Sequence, residues 1–314
     1  MVDMIQLLAP RLRLLALVFA LGAATCACSA TPGAKALDDV RILSDDALQG
    51  RAPGTPGSAM ARAHILKRFG EIGLSPIGTS FERPFSYARR DGTKVDAINL
   101  VARIAGTKPG GKAMVVSAHY DHLGVRGGEI FNGADDNASG VAGLLAVAEA
   151  FKAQPPRHDV ILAVLDAEEG GLRGAHAFVA DPPVPLPRIA LNINFDMLSK
   201  NPRNELYVSG ASPFPTLKPI LDKVAATAPV TLKLGHDTDA DGKQNNWTNQ
   251  SDHYAFAAKG VPWVYFGVED HPDYHKSTDD FATIPQDFFK RSVATVVAAS
   301  LALERDLDTI QPPH

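Results

Sequence analysis

Short stretches rich in aspartate, glutamate and histidine recur where regular elements are predicted to begin or end, and they constrain the fold of this chain most. The five stretches are SAHYDHLG (117–124), GADDNASG (133–140), DVILAVLDAEE (159–169), IALNINFDM (189–197) and PDYHKSTDD (272–280). In open α/β sheets, ligands bind outside the carboxyl ends of the strands. The pattern therefore predicts that these side chains converge on one site, where their oxygen and nitrogen atoms can ligate metal.

Alternating strands and helices in the middle of the chain indicate the fold class. Apolar runs predict buried strands at 113–116, 160–165, 189–195 and 261–266. Helical patterns are predicted between them, at 137–151 and 173–179. This alternation is typical of a mostly parallel sheet that is covered on both faces. We predict an α/β fold, a three-layer α/β/α sandwich with a mixed, mostly parallel central sheet.

The flanking parts of the chain carry weaker signals. The stretch 37–48 predicts a short amphipathic helix, whereas 50–57 predicts a loop because glycine and proline alternate too densely there. Ser58 is a candidate cap for the helix that follows. The polar stretch 235–250 lacks periodicity and predicts a long surface loop. Since we find neither an internal repeat nor a second domain boundary, residues 31–314 are expected to form a single domain.

Length and composition exclude several classes of function. A chain of 314 residues that is 45% hydrophobic can bury a substantial core. Its formal charge of −4 and its modest aromatic content give no reason to expect a nucleic-acid partner. The GxSxG, CxxC and GxGxxG motifs are absent from the sequence, so serine hydrolase, thiol redox and dinucleotide functions lack their residues.

Residues 1–30 have the layout of an export signal. Two arginines precede the apolar run 14–24, which is too short to span a bilayer comfortably. Both cysteines, Cys26 and Cys28, follow this run, which leaves two alternatives: cleavage near Ala30, or a lipoprotein signal with lipid on one cysteine. We expect a periplasmic or secreted protein, attached to the membrane through the lipidated cysteine in the second case.

Each acidic stretch has an ordinary explanation when it is taken alone. A histidine after a strand is usually a polar strand end, and adjacent aspartates are common in turns. Glu168 and Glu169 would ordinarily be solvated, yet they closely follow the apolar run 160–165. Five such coincidences in one chain are a poor explanation, so a shared metal site is the better interpretation.

Together the stretches resemble metallopeptidase family 28, the di-zinc aminopeptidases and their relatives with the zinc exopeptidase fold. The resemblance covers nearly the whole chain after the export segment. It rests on AHYDH, GADDNASG, DAEE, NFDM and YH, which occur in the expected order. It implies that 31–314 is a peptidase catalytic domain that acts on peptides.

The resemblance implies two Zn²⁺ ions and a ligand set. His119, Asp136 and Asp196 would bind one ion, and Asp136, Glu169 and His275 would bind the other, so that Asp136 bridges them. Three carboxylates and two imidazoles give each ion nitrogen and oxygen ligands suited to zinc and leave positions for water.

The resemblance also implies roles around the metal. Glu168 would be the general base, and its neighbour Glu169 can bind metal because a loop after a strand need not keep both side chains on one face. Asp121 would lie behind His119 and fix the orientation of its ring. Tyr274 would donate a hydrogen bond to the carbonyl oxygen of the substrate.

Other polar and aromatic residues near these motifs have competing explanations. His122 is interpreted as structural because the ligand set is already complete, and Asp135 as a turn residue. Asp252, in SDHYAF, is a candidate substrate contact or a packing residue. Trp247, in the loop 235–250, is expected either to line a substrate side-chain pocket or to anchor that loop.

The leading functional prediction is an exported zinc exopeptidase, and the preferred type is an aminopeptidase. A glutaminyl-peptide cyclotransferase or a carboxypeptidase on the same fold is the alternative among enzymes. A carboxypeptidase needs basic groups for the terminal carboxylate, and the sequence does not reveal such a cluster. A non-catalytic binding domain is the alternative from another class, although such a domain would be expected to have lost ligands or the base.

Overall fold

A computed structural model describes residues 32–108 and 110–311. The predicted export segment, with Cys26 and Cys28, lies outside the described residues. In the ranges that are described, we find no helix long and apolar enough to cross a membrane.

The described residues form eleven strands and seven α-helices. The strands are β1 (Ser75–Pro76), β2 (Glu82–Ala88), β3 (Lys94–Ile104), β4 (Ala113–His119), β5 (Gly124–Arg126), β6 (Glu129–Phe131), β7 (Asp159–Leu165), β8 (Ile189–Phe195), β9 (Glu205–Ser209), β10 (Thr231–Leu234) and β11 (Trp263–Gly267). The helices are α1 (Pro32–Leu43), α2 (Pro56–Ile72), α3 (Gly140–Ala153), α4 (Arg173–Ala180), α5 (Lys218–Ala225), α6 (His253–Ala257) and α7 (Gln286–Arg305).

Nine of these strands form one mixed sheet. Its order is β1-β3-β7-β4-β8-β11-β9-β10, and β2 also pairs with β3. The four central strands, β7, β4, β8 and β11, are mutually parallel. Antiparallel pairs join β1, β2 and β7 to β3, and join β9 to β11. The predicted mixed α/β fold is confirmed, and the carboxyl ends of the four central strands meet at one edge.

Helices cover both faces of this sheet because alternate strand residues point into two separate cores. In β4, Met114 and Val116 belong to a core that also contains side chains of α1, α2, α3, α5 and α7. Ala113 and Val115 belong to the opposite core, with Phe178 of α4 and side chains of α6. Continuous apolar runs form the central strands because both of their faces are buried.

The start of the chain differs in detail from the prediction. The helix predicted at 37–48 lies instead at Pro32–Leu43, and a short 3-10 segment follows it. The cap predicted at Ser58 is wrong: Thr55 caps α2, and its hydroxyl accepts from Ser58 N at 3.2 Å. Pro56 stands in the first turn, where its missing N–H costs nothing.

Two peripheral elements were not predicted from the sequence, whereas the loop at 235–250 was predicted. The strand β10 and the hairpin formed by β5 and β6 are short and largely exposed, so they carry little apolar signal. The stretch 235–250 is a loop, as predicted, and contains only two short 3-10 turns, Asp239–Asp241 and Lys243–Asn245.

Arg51 joins three segments of the chain from a fully buried position. Its guanidinium donates to the carbonyl oxygens of Tyr120 at 2.7 Å, Leu43 at 2.6 Å and Gly133 at 3.1 Å, and also to that of Asn132. Burial lowers the pKa of Arg51 to about 10, although nearby carboxylates oppose this shift. The group therefore stays charged at neutral pH and connects α1, the end of β4 and the segment before α3.

Replacement of Arg51 tests this connection. Arg51→Met keeps an apolar stem but leaves four buried carbonyl oxygens without their donor, which should lower the free energy of unfolding by about 3–5 kcal/mol. Arg51→Lys should recover little of this free energy, since one ammonium group lacks the planar fork that reaches all four oxygens. Urea unfolding of the full chain measures the change. The exposed Arg90→Met is the matched control, and a wild-type midpoint for Arg51→Met would contradict the interpretation.

Candidate metal centre

Three of the predicted ligands converge from separate elements at the carboxyl edge of the sheet. His119 ends β4, Asp196 directly follows β8, and Asp136 lies in the turn 134–139 before α3. Their ligand atoms all lie within 4.8 Å of one another, and all three side chains are buried. His119 Nε2 is 3.3 Å from an oxygen of Asp136 and 3.3 Å from one of Asp196.

A second group shares Asp136 and lies on its other side. His275 Nε2 is 3.1 Å from Asp136 Oδ2 and 3.2 Å from Glu169 Oε2. The five residues predicted as ligands are therefore brought together, with Asp136 in contact with the imidazoles of both groups.

His122 also lies in this second group, and sequence reasoning missed it as a candidate. Its ligand atoms lie within 4.8 Å of those of Asp136 and Glu169. His122 Nδ1 is 2.6 Å from Glu169 Oε1, and the His122 ring centre is 5.9 Å from that of His275. Its place in AHYDH, three residues after His119, was the available signal. That spacing does not reveal which way the chain turns after β4.

The donor set fits a divalent metal ion. Although His122 Nδ1 and Glu169 Oε1 are close, their contact lacks hydrogen-bond geometry. Both atoms, and His122 Nε2, are buried without a hydrogen-bond partner in the described part of the chain. Buried polar atoms normally have partners, and a metal ion is one way to satisfy them. Imidazole nitrogens with carboxylate oxygens are ligands typical of zinc.

The electrostatics of the group favour bound cations. Burial lowers the pKa of His119, but the charges of Asp196 and Glu168 raise it well above its ordinary value. Burial also lowers the pKa of His275, but its contacts with Asp136 and Glu169 outweigh burial and raise this pKa to about 10. These carboxylates therefore attract positive charge strongly enough to overcome the penalty of burial.

Asp121 lies behind His119, as predicted, and its carboxylate Oδ1 is 3.6 Å from His119 Nδ1. His119 Nδ1 is also 3.2 Å from the main-chain oxygen of Asp121, which can accept a hydrogen bond from its N–H group. The Asp121 carboxylate accepts hydrogen bonds from the backbone N–H groups of Glu168 at 3.0 Å and Glu169 at 3.4 Å. Asp121 therefore positions the end of β4 and the loop after β7 together.

A second buried network holds the Asp136 segment against the segment that carries His275. Asp279 is fully buried and accepts the backbone N–H groups of Asp135 and Asp136 at 3.0 Å. Lys200 Nζ lies 2.8 Å from Asp279. His271 Nε2 lies 3.0 Å from Asp135 Oδ2, so Asp135 and His271 have structural contacts that the sequence did not indicate.

Close packing explains a glycine in this region. Gly133 has a φ of 56°, in the left-handed region. A side chain at this position would collide with the main-chain oxygen of Asp136 and with the ring of His122. Only glycine therefore lets the chain pass between β6 and the turn that carries Asp136.

A cavity of about 330 Å³ opens over the candidate ligands. Tyr274 lines it and stacks on His275, with ring centres 4.0 Å apart. Trp247 also lines it, yet it stacks on His236 at 3.8 Å, so it both faces the cavity and anchors its loop. Asp252, a candidate substrate contact, is fully buried and is not among the residues that line the cavity.

Comparison with protein families and curated proteins identifies relatives of the chain. A model of peptidase family M28 matches residues 99–300. The alkaline phosphatase isozyme conversion protein of Escherichia coli K12 is 27% identical over 139 residues, which cover 40% of each chain. The vacuolar membrane protease of Candida dubliniensis is 34% identical over 114 residues, which cover 32% of this chain and 12% of that protein. The chain thus spans less than half the length of these relatives.

Solved structures share the fold at low sequence identity. Porphyromonas gingivalis glutaminyl cyclase matches with a TM-score of 0.70 and 19% identity, over 85% of this chain and 97% of that one. BSAP, a zinc aminopeptidase from Bacillus subtilis, matches with a TM-score of 0.67 and 16% identity, over 86% and 95%. Structural likeness at such low sequence identity establishes the fold but not the reaction.

The Asp279 network should control metal affinity without contacting the metal. Asp279→Asn removes one of the two carboxylate charges that face Lys200 and weakens the hydrogen bonds to the Asp135 and Asp136 backbone. Loss of such a supporting contact typically costs about 10–100-fold in metal affinity. Competition titration with a zinc-binding dye measures the change. Asp287→Asn, at an exposed position on α7, is the matched control, and equal zinc affinity in both variants would refute the prediction.

Proposed function

The chain belongs to peptidase family M28, and on that premise we propose that it is an exported, zinc-dependent aminopeptidase that removes N-terminal residues from peptides. The composition of the site cavity carries this proposal. The lining includes five carboxylates and neither lysine nor arginine: Asp136, Glu168, Glu169, Asp196 and Asp270. Zinc would neutralise the three carboxylates proposed below as its ligands, which leaves Glu168 and Asp270 to favour a cationic α-amine and to repel a terminal carboxylate.

The proposed metal ligands are those that converge at the sheet edge. We assign His119, Asp136 and Asp196 to one Zn²⁺ ion, and Asp136, Glu169 and His275 to a second, with Asp136 shared. Zinc bound there would lower the pKa of a water molecule and polarise the carbonyl of the scissile peptide bond. His122 lies beside the ligands of the second ion, with its Nδ1 2.6 Å from Glu169 Oε1.

Glu168 is the proposed general base. It is half-buried on the cavity wall. Burial raises its pKa well above the ordinary value; the charge of His119 opposes this shift and that of Asp196 adds to it. A carboxylate with a raised pKa accepts a proton from water more readily and can pass it to the leaving amine.

Tyr274 is the proposed donor to the substrate carbonyl oxygen. Burial, together with the charges of Asp136 and Asp196, raises the pKa of its hydroxyl above the ordinary value. The hydroxyl therefore stays protonated at neutral pH and can donate a hydrogen bond as negative charge develops on that oxygen. On the same cavity wall, Trp247 would contact the side chain of the N-terminal residue.

A glutaminyl-peptide cyclotransferase is the second candidate function. The fold likeness to P. gingivalis glutaminyl cyclase, which extends over 97% of that chain, supports it. A peptide with N-terminal glutamine separates the two reactions. An aminopeptidase releases free glutamine and a shortened peptide, whereas a cyclase releases ammonia and a pyroglutamyl peptide. Metal content without either product would instead support a non-catalytic binding domain.

Export remains part of the proposal and concerns residues outside the described ranges. The layout of residues 1–30 supports it, with cleavage near Ala30 or lipid on Cys26 or Cys28 as the alternatives. Mass spectrometry of the mature N-terminus in the native host distinguishes the two, because only the second leaves an acylated cysteine at the new terminus.

The direction of cleavage follows from the charge of the cavity. N-acetylation of a hexapeptide substrate removes the cationic amine and should abolish hydrolysis, whereas C-terminal amidation should be tolerated. Mass spectrometry of the products provides the measurement. Cleavage of the acetylated peptide together with resistance of the amidated one would move the assignment to a carboxypeptidase.

Glu168 and Glu169 should respond differently to the same substitution. Glu168→Gln should leave zinc content near normal and lower kcat by about 10²–10⁴-fold, because the proton acceptor is lost. Glu169→Gln should lower zinc content instead, because a ligand is lost. Metal content and turnover of aminoacyl-anilides are measured on the same samples. Identical behaviour of the two variants would contradict this division of roles.

A further inference from the structure

A second cavity, of about 510 Å³, adjoins the candidate metal centre. Glu169 lines both this cavity and the one over the ligands, so the two spaces adjoin at this residue. His122 also lines the second cavity at the metal end. The outer walls of the cavity come from the segment 49–56, the end of β2 and the strand β5.

The two cavities differ in charge. Of the five carboxylates over the ligands, Glu168 and Asp270 are not assigned to zinc and keep their negative charge, whereas the second cavity is lined by Arg89 and Arg126 and by one carboxylate, the zinc ligand Glu169. A chain that enters both spaces would therefore meet negative charge on one side of Glu169 and positive charge on the other. Such polarity would favour a substrate with an amine at one end and a carboxylate at the other.

Both arginines keep their positive charge available to a ligand. Arg126 Nε donates to the main-chain oxygen of Leu123 at 3.2 Å, and its Cζ lies 5.9 Å from the centre of the Phe131 ring. Arg89 is exposed and follows the end of β2, and its charge acts on the hydroxyl of Tyr87, which also lines the cavity. Within residues 32–108 and 110–311, the structure records no ion pair between either guanidinium and a carboxylate.

We propose that the second cavity binds the leaving-group side of the substrate and selects a carboxylate there through Arg89 and Arg126. The proposal rests on the proposed aminopeptidase function. The N-terminal residue would occupy the acidic cavity, the scissile bond would lie beside Glu169, and the next residue would enter the second cavity. The preferred substrates are dipeptides with a free terminal carboxylate and peptides with aspartate or glutamate in second position.

The substrates for the test separate these two sources of carboxylate. All begin with the residue that the wild-type enzyme releases fastest from an anilide. An amidated dipeptide ending in glutamate is compared with one ending in glutamine to test the side chain. The glutamine dipeptide with a free terminus is compared with its amide to test the terminal carboxylate. The anilide itself carries a neutral leaving group and reports the reaction without either carboxylate.

Single and double variants of the arginines identify the binding groups. Arg89→Gln and Arg126→Gln should each raise KM about two- to fivefold for the carboxylate-bearing substrates, as expected for a partly exposed ion pair. The double variant should raise it about tenfold. kcat should change little, because the contact is present equally in the ground state and the transition state. Arg90→Gln, next to Arg89 but outside the cavity lining, is the matched control.

The outcomes are distinct. A rise in KM confined to one or both carboxylate sources, which weakens as salt screens the charges, supports the proposal and identifies the source. Unchanged KM values, or equal changes for the anilide and for all dipeptides, would overturn it. If the wild-type enzyme, loaded with zinc, hydrolyses none of these substrates, the aminopeptidase proposal is wrong and this inference falls with it. If the anilide is hydrolysed but the arginine variants behave like the wild-type enzyme, this inference is refuted and the aminopeptidase proposal stands.

Discussion

Repulsion among buried carboxylates at one edge of the sheet is the constraint on which the rest of the structure depends. Asp136, Glu169 and Asp196 contact the same small group of imidazoles, and like charges this close are costly in a medium of low dielectric constant. The fold supplies fixed positive charge around them. Arg51 lies close enough for the charges of Asp136 and Glu169 to raise its pKa against the effect of burial. A divalent ion is the natural source of the remaining positive charge.

The central strands were predictable because burial on both faces leaves a continuous apolar run. The predicted strand 189–195 coincides with β8, and 160–165 differs from β7 by one residue. Shorter elements at the periphery lack this signal. In β10, exposed and buried residues alternate over only four positions, so little distinguishes the strand from a loop. Local rules were also insufficient at α2, where Thr55 and Ser58 are both acceptable caps and the position of Pro56 decides between them.

At the site, the pattern identified which residues converge but not all of their contacts. The five predicted ligands lie together because they follow or precede elements that end at one edge. His122 was missed because its direction depends on the turn after β4, which no periodicity describes. The contacts of Asp135 with His271, and of Asp279 with the Asp136 backbone, join residues more than a hundred positions apart. Contacts of that range are determined by how the elements pack.

The candidate ligands are also far apart along the chain. His119 and His275 come from segments half a chain apart, and the strands between them pair out of sequential order. Such long-range contacts form slowly, since loop closure must precede the contacts that stabilise it. While the chain is still emerging from the ribosome, the cluster has no His275 until the segment after β11 has been made. The candidate metal centre is therefore absent from every nascent chain that lacks the segment after β11, however much of the sheet has already formed.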